Sequence, residues 1–180
     1  MRRGQWHILF YACVVAGCSR SGQLRPVEPM GVVGTWRITE YWNRSSPTRP
    51  LEYPFGERPC GYIIYTATGH MSAQVASAPI APILPLDSLV DGNPRGEEAI
   101  AMLGRSVSYF GTYTIDAERR VVVHNVQADM RRRYTGRAED RLYRLNGDSL
   151  ILGNDSTWRR VLLREKTGSP PNPACRLTTR

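Results

Sequence analysis

Eight short strand-like runs, several of them rich in β-branched and aromatic residues and many set off by turn formers, recur along the chain between residues 32 and 164. They cover 32–42, 61–66, 71–76, 107–115, 121–127, 137–145, 150–153 and 158–164, and their side chains alternate in character at the two-residue period of a strand. Turn signals at Ala67-Thr68-Gly69, Asp116-Ala117-Glu118 and Asn146-Gly147-Asp148 join neighbouring runs as antiparallel hairpins. An open sheet of this kind exposes two edges that recruit other chains, and closure removes both. The pattern therefore predicts an all-β fold, an eight-stranded antiparallel up-and-down barrel. A barrel of that size holds packed side chains or one small ligand.

One segment interrupts the meander. Residues 77–94 are rich in Pro and small apolar residues, and residues 95–104 carry Glu97 and Glu98 early and Gly104 at the end. Acids in the first turn and a terminal Gly are what a short helix carries. A helical insertion over the barrel, acting as a lid, is the expectation for 77–104.

The N-terminus reads as an export signal. Arg2 and Arg3 precede a mostly apolar run over 6–15, followed by Val15-Ala16-Gly17-Cys18. The run falls short of the ~20 apolar residues that span a bilayer. Small residues ahead of a cysteine fit a lipobox, so residues 1–17 are expected to be a cleaved lipoprotein signal and Cys18 the acylated residue. Acyl chains contribute ~0.8 kcal/mol per buried methylene, and more than one chain anchors stably. Ser19, in place of an acidic residue, favours the outer membrane facing the periplasm. Residues 18–30 are polar, contain Gly and Pro, and lack periodicity, as a tether does. About 135 residues remain, one domain's worth, expected over 31–166 with a Pro-rich tail over 167–180.

Cysteine usage follows from that compartment. Cys13 leaves with the signal and Cys18 takes lipid, so Cys60 and Cys175 remain to pair under oxidising conditions. Such a bridge would tie the tail back onto the barrel near its second strand.

Charge argues against several functions. Losing Arg2 and Arg3 takes the 24 basic residues to 22 against 16 acidic, a net charge of +6. An exported lipoprotein seldom meets nucleic acid and no nucleic-acid motif is present, so the excess reads as a solvated basic face. Arg131-Arg132-Arg133, in an expected loop, is its densest patch and a candidate for anionic headgroups. His70 and His124 lack metal-ligand spacing, no Cys/His/Asp cluster suits zinc, and neither a nucleophile turn nor a phosphate loop occurs. Asp129 and Asp140 lack a spaced partner for paired-carboxylate chemistry. No metal, cofactor or catalytic set is implied, and no feature fixes an oligomeric state.

Several segments together resemble the bacterial lipocalin-like domain family. They are the run from Tyr53 through Cys60-Gly61-Tyr62 to Thr66, Gly34-Thr35-Trp36, Gly69-His70-Met71-Ser72-Ala73-Gln74, Tyr109-Phe110-Gly111-Thr112-Tyr113, and Gly136 with Arg141 ahead of Asn146-Gly147-Asp148-Ser149-Leu150. The resemblance spans roughly 31–166 and implies a small closed barrel with an internal cavity. It also implies that Trp36 plugs one end, covered by an Arg of the last strand, either Arg164 or Arg160. His124, Arg141, Tyr109 and Tyr113 match positions where similar sequences carry the same residue types.

Strand parity groups polar residues among apolar ones. Tyr109, Gly111 and Tyr113 share a face, as do Glu139, Arg141 and Tyr143, and Val122, His124 and Val126. Ser72 and Gln74 share one face of the third strand and Met71, Ala73 and Val75 the other, with the inward face left open. One reading is a pocket where Arg141 and His124 meet an anionic or carbonyl-bearing group, walled by Tyr109, Tyr113 and Tyr143. The other is a buried polar network that satisfies itself. The function expected is a lipid-anchored module binding a small, mostly hydrophobic or amphipathic ligand. The alternatives are isomerase or cyclase chemistry in the same cavity, which related barrels host, and a purely structural envelope lipoprotein.

Overall fold

The computed structural model describes residues 31–78 and 103–176. Eight strands follow in order: β1 Gly34–Asn43, β2 Cys60–Tyr65, β3 His70–Ala76, β4 Ser106–Asp116, β5 Val121–Asp129, β6 Ala138–Asn146, β7 Ser149–Gly153 and β8 Trp158–Arg164. Each pairs antiparallel with the next, and β8 returns to pair with β1, closing the barrel. The expected all-β up-and-down barrel is the fold observed. The signal, Cys18 and the tether lie outside the described residues, as do residues 79–102 of the insertion. Of the helix expected over 95–104, Leu103 and Gly104 are described, and both are helical.

Alternation builds the core. Trp36 and Ile38 of β1, Ile63 and Tyr65 of β2, Met71, Ala73 and Val75 of β3, and Leu150 and Leu152 of β7 are all buried. On β3 the apolar trio therefore faces inward and Ser72 and Gln74 face out, which settles the parity that the residue pattern leaves open. Burying such side chains contributes roughly 1.5–3 kcal/mol each, and they form one continuous cluster through the barrel. Strand β6 is the most exposed wall. Glu139, Arg141 and Tyr143 are its half-buried side chains.

Two bulges reset the parity. The β1–β8 register shifts between Ile38 and Glu40, so Thr39 is extra and its hydroxyl donates to the Val161 carbonyl at 3.1 Å. Beyond it Tyr41 and Asn43 take over the inward face that Trp36 and Ile38 occupied before. On β5 the shift falls opposite Phe110/Gly111. It turns Asp129 into the barrel although His124 and Val126 are inward at even positions. Gly111 is required here by close approach, since a Cβ would sit 2.0 Å from the Asn125 carbonyl oxygen.

One end is plugged as the family resemblance implies, and Arg164 is the covering residue. Its guanidinium carbon stands 4.1 Å from the ring centre of Trp36, and it donates to the Val33 carbonyl at 2.7 Å and to the Gly31 carbonyl. The Trp36 indole N–H donates to the Val32 carbonyl at 2.7 Å. Arg160 stacks elsewhere, on Tyr41. Cys60, at the start of β2, is bonded to Cys175, and the tail is strapped to the barrel as expected.

Candidate functional site

The closed strands leave a cavity of about 480 Å³, within the range of small-molecule sites. Its apolar wall includes Ile38, Ile63, Val75, Val107 and Leu152. The loop ahead of β2 contributes Pro54 and Phe55, and Phe55 packs edge-on against Tyr41 with ring centres 4.6 Å apart. The loop is held by reciprocal backbone hydrogen bonds between Asn43 and Glu52, at 2.9 and 2.7 Å. This gives a physical role to the Tyr53-to-Thr66 segment, whose loop supplies wall and whose strand supplies core.

The polar groups of the wall are arginines and tyrosines. Arg44, Arg131, Arg133, Arg141 and Arg160 line the cavity and, among the described residues, no Asp or Glu does. Arg131 and Arg133 are brought there by a turn that Asp129 organises. One oxygen of its buried carboxylate accepts from the Arg131 N–H at 3.2 Å and the other from the Tyr134 N–H at 3.1 Å. The basic run thus belongs in part to the cavity mouth, a placement beyond what the sequence indicates. Asp129 is a structural cap.

Arg141 is held by the Glu139 carboxylate at 3.2 Å, and its guanidinium carbon lies 5.9 Å from the Tyr134 ring centre and 5.6 Å from that of Trp158. Burial works against its charge, but Tyr109, Glu139 and Tyr134 outweigh burial and push its pKa up. It stays a cation at every accessible pH.

Behind the wall is a buried relay. The Tyr65 hydroxyl lies 2.7 Å from His124 Nε2, and the Tyr109 hydroxyl 2.9 Å from Nδ1. Burial, assisted by the nearby Arg141 charge, depresses the His124 pKa to about 3, so the ring is neutral with one donor and one acceptor nitrogen. One phenol therefore donates to the ring and the other accepts from it. Of the two, Tyr109 also lines the cavity, where Arg141 hydrogen-bonds its oxygen. Burial raises the Tyr109 pKa to about 12 against the pull of Arg141, and holds that of Tyr65 well above its ordinary value, so both remain protonated.

Of the five residues that parity grouped around a pocket, Tyr109 and Arg141 line the cavity. His124 is fully buried with both ring nitrogens engaged. Tyr113 packs edge-on against Tyr65 and donates its hydroxyl to the Thr66 carbonyl at 2.8 Å. Tyr143 packs against the core. The sequence reading missed Tyr41, Trp158 and Arg160, which the structure adds to the wall. A signal was available for the last two, since residues 158, 160, 162 and 164 alternate on one face. Among the described residues no group of three His, Cys, Asp or Glu side chains is placed to hold a metal ion.

The closed eight-stranded antiparallel barrel with a plugged end and an internal cavity defines a calycin-type binding fold. The family model of the lipocalin-like domain matches residues 33–169, and the chain belongs to that family. No curated protein matches it. A barrel of this family suggests ligand binding in general.

Proposed function

We propose that this protein is a lipid-anchored envelope module that holds a small, mostly hydrophobic or amphipathic molecule inside its barrel. The observation that carries this reading is the cavity of about 480 Å³, walled by Ile38, Ile63, Val75, Val107 and Leu152 and by the aromatic side chains of Tyr41, Phe55, Tyr134 and Trp158. Apolar enclosure supplies affinity, while Tyr109 and Arg141 supply the few polar contacts that orient a ligand. His124 serves by aiming the Tyr109 hydroxyl. Anchoring rests on Cys18 in its lipobox context, and a periplasm-facing position at the outer membrane follows from Ser19 after it.

The test uses the purified full chain and N-phenyl-1-naphthylamine, a neutral apolar fluorophore that brightens when it leaves water. Saturable brightening at one probe per barrel is expected, and it should be abolished in Val75→Phe, whose larger ring fills the cavity, with the melting temperature recorded alongside. Absence of saturable binding in the unmodified protein would overturn the reading.

A further inference from the structure

A guanidinium withdrawn from water requires a counter-charge or a full set of acceptors, because an unpaired buried ion is costly. Arg160 has only neutral partners. Its Nη1 donates to the Trp42 carbonyl at 2.5 Å and the Arg159 carbonyl at 2.8 Å, and its Nη2 to Asn43 Oδ1 at 2.8 Å. Among the described residues no carboxylate pairs with it. Its guanidinium carbon lies 3.2 Å from the ring centre of Tyr41 and 5.4 Å from that of Trp158. Arg141 reaches the same indole at 5.6 Å. Two cations thus converge on one ring inside a cavity that, among the described residues, no acid lines, and among them Glu139 pairs with Arg141 alone.

Around Trp158, Glu139 meets the charge of Arg141 and, among the described residues, leaves that of Arg160 unmet. A planar carboxylate matches the fork of guanidinium donors that these two arginines present. Resting on the reading of the cavity as a ligand site, we propose that its occupant is an apolar carboxylic acid. The carboxylate lies between Arg141 and Arg160 and accepts from the Tyr109 hydroxyl, and the apolar body packs on Ile38, Ile63 and Val75.

Displacement of the bound naphthylamine from the full chain by dodecanoate, 1-dodecanol and dodecyl phosphate tests this. The acid and the alcohol share a tail, so their ratio isolates the headgroup. Dodecanoate is expected to displace the probe roughly ten- to a hundredfold more strongly than dodecanol, the range of a charge-assisted hydrogen bond. In Arg160→Gln and in Arg141→Gln that ratio should collapse toward one, and Arg160→Lys should keep part of it. Because the ratio is taken within each variant, a loss of folded protein cancels, and if the Arg160 variants fail to fold the Arg141→Gln ratio decides alone. Equal displacement by acid and alcohol in the unmodified protein would overturn the acid assignment while leaving the cavity reading standing. A preference for dodecyl phosphate over dodecanoate beyond about tenfold would overturn the carboxylate in favour of a phosphorylated headgroup. Failure of the probe itself to bind would remove the cavity reading and the proposal with it.

Discussion

His124 Nε2 and the hydroxyl of Tyr65 meet at 2.7 Å across the barrel interior, and both side chains are closed to solvent. With the Tyr109 hydroxyl 2.9 Å from Nδ1 on the other side, this contact holds a neutral imidazole between two phenols.

Stability should fall with acid because of this histidine. Its pKa is about 3 folded and about 6.5 in an unfolded chain, so between those values the unfolded state binds more protons. The contribution is fully present above about pH 6.5 and is lost as pH falls toward 3. At ~1.4 kcal/mol per pKa unit it amounts to up to ~5 kcal/mol. Thermal melts from pH 7 to pH 4 should show a steeper decline for the unmodified protein than for His124→Gln; parallel curves would contradict the assignment.

Removing either phenol leaves a buried imidazole nitrogen without its partner, at a cost of about 1–3 kcal/mol. Tyr65→Phe and Tyr109→Phe are each expected to lower the urea midpoint by a corresponding amount. The double variant should lose less than the two single losses combined, since one network is being broken twice. Additive losses would argue that the two contacts are independent.

The bond between Cys60 and Cys175 spans a sequence separation of 115 residues. In the chain-entropy account a loop of that length contributes ~5 kcal/mol by restricting the unfolded chain. Cys175→Ser should lower the melting temperature, and proteolysis should then trim the tail back toward residue 166 while the barrel persists. A tail that stays protected without the bond would assign its docking to the contacts of Pro173 and Asn172 instead.

Cys18→Ser is expected to release the exported protein from the membrane fraction and to leave the signal uncleaved at that site. Detergent-dependent membrane association that survives the substitution would defeat the anchoring proposal.

The strands were legible because alternation, turn residues and the family motifs all point the same way. Each expected run lies within two residues of an observed strand. The site was legible only up to the bulges. Parity counted along β4 and β6 finds Tyr109 and Arg141, since no irregularity intervenes before them on the inward face. Parity counted along β1 from Trp36 excludes Tyr41, because the extra residue at Thr39 leaves no trace in composition. Arg160 and Arg164 look alike in sequence, both Arg on one face of the last strand. What separates them is height along the barrel, Arg164 opposite Trp36 and Arg160 opposite Tyr41, which register alone supplies.

The pairing of β1 with β8 places Gly34–Asn43 beside Trp158–Arg164. In space the ring therefore has no first strand. A chain cut at the exposed turn around Gly69 and rejoined by a short link between residues 166 and 31 would trace the same circle of neighbours in a new order. The position of the natural opening decides something else: it sets the rim of the barrel at which β1 begins, and with it the end from which the proposed anchor would present the mouth.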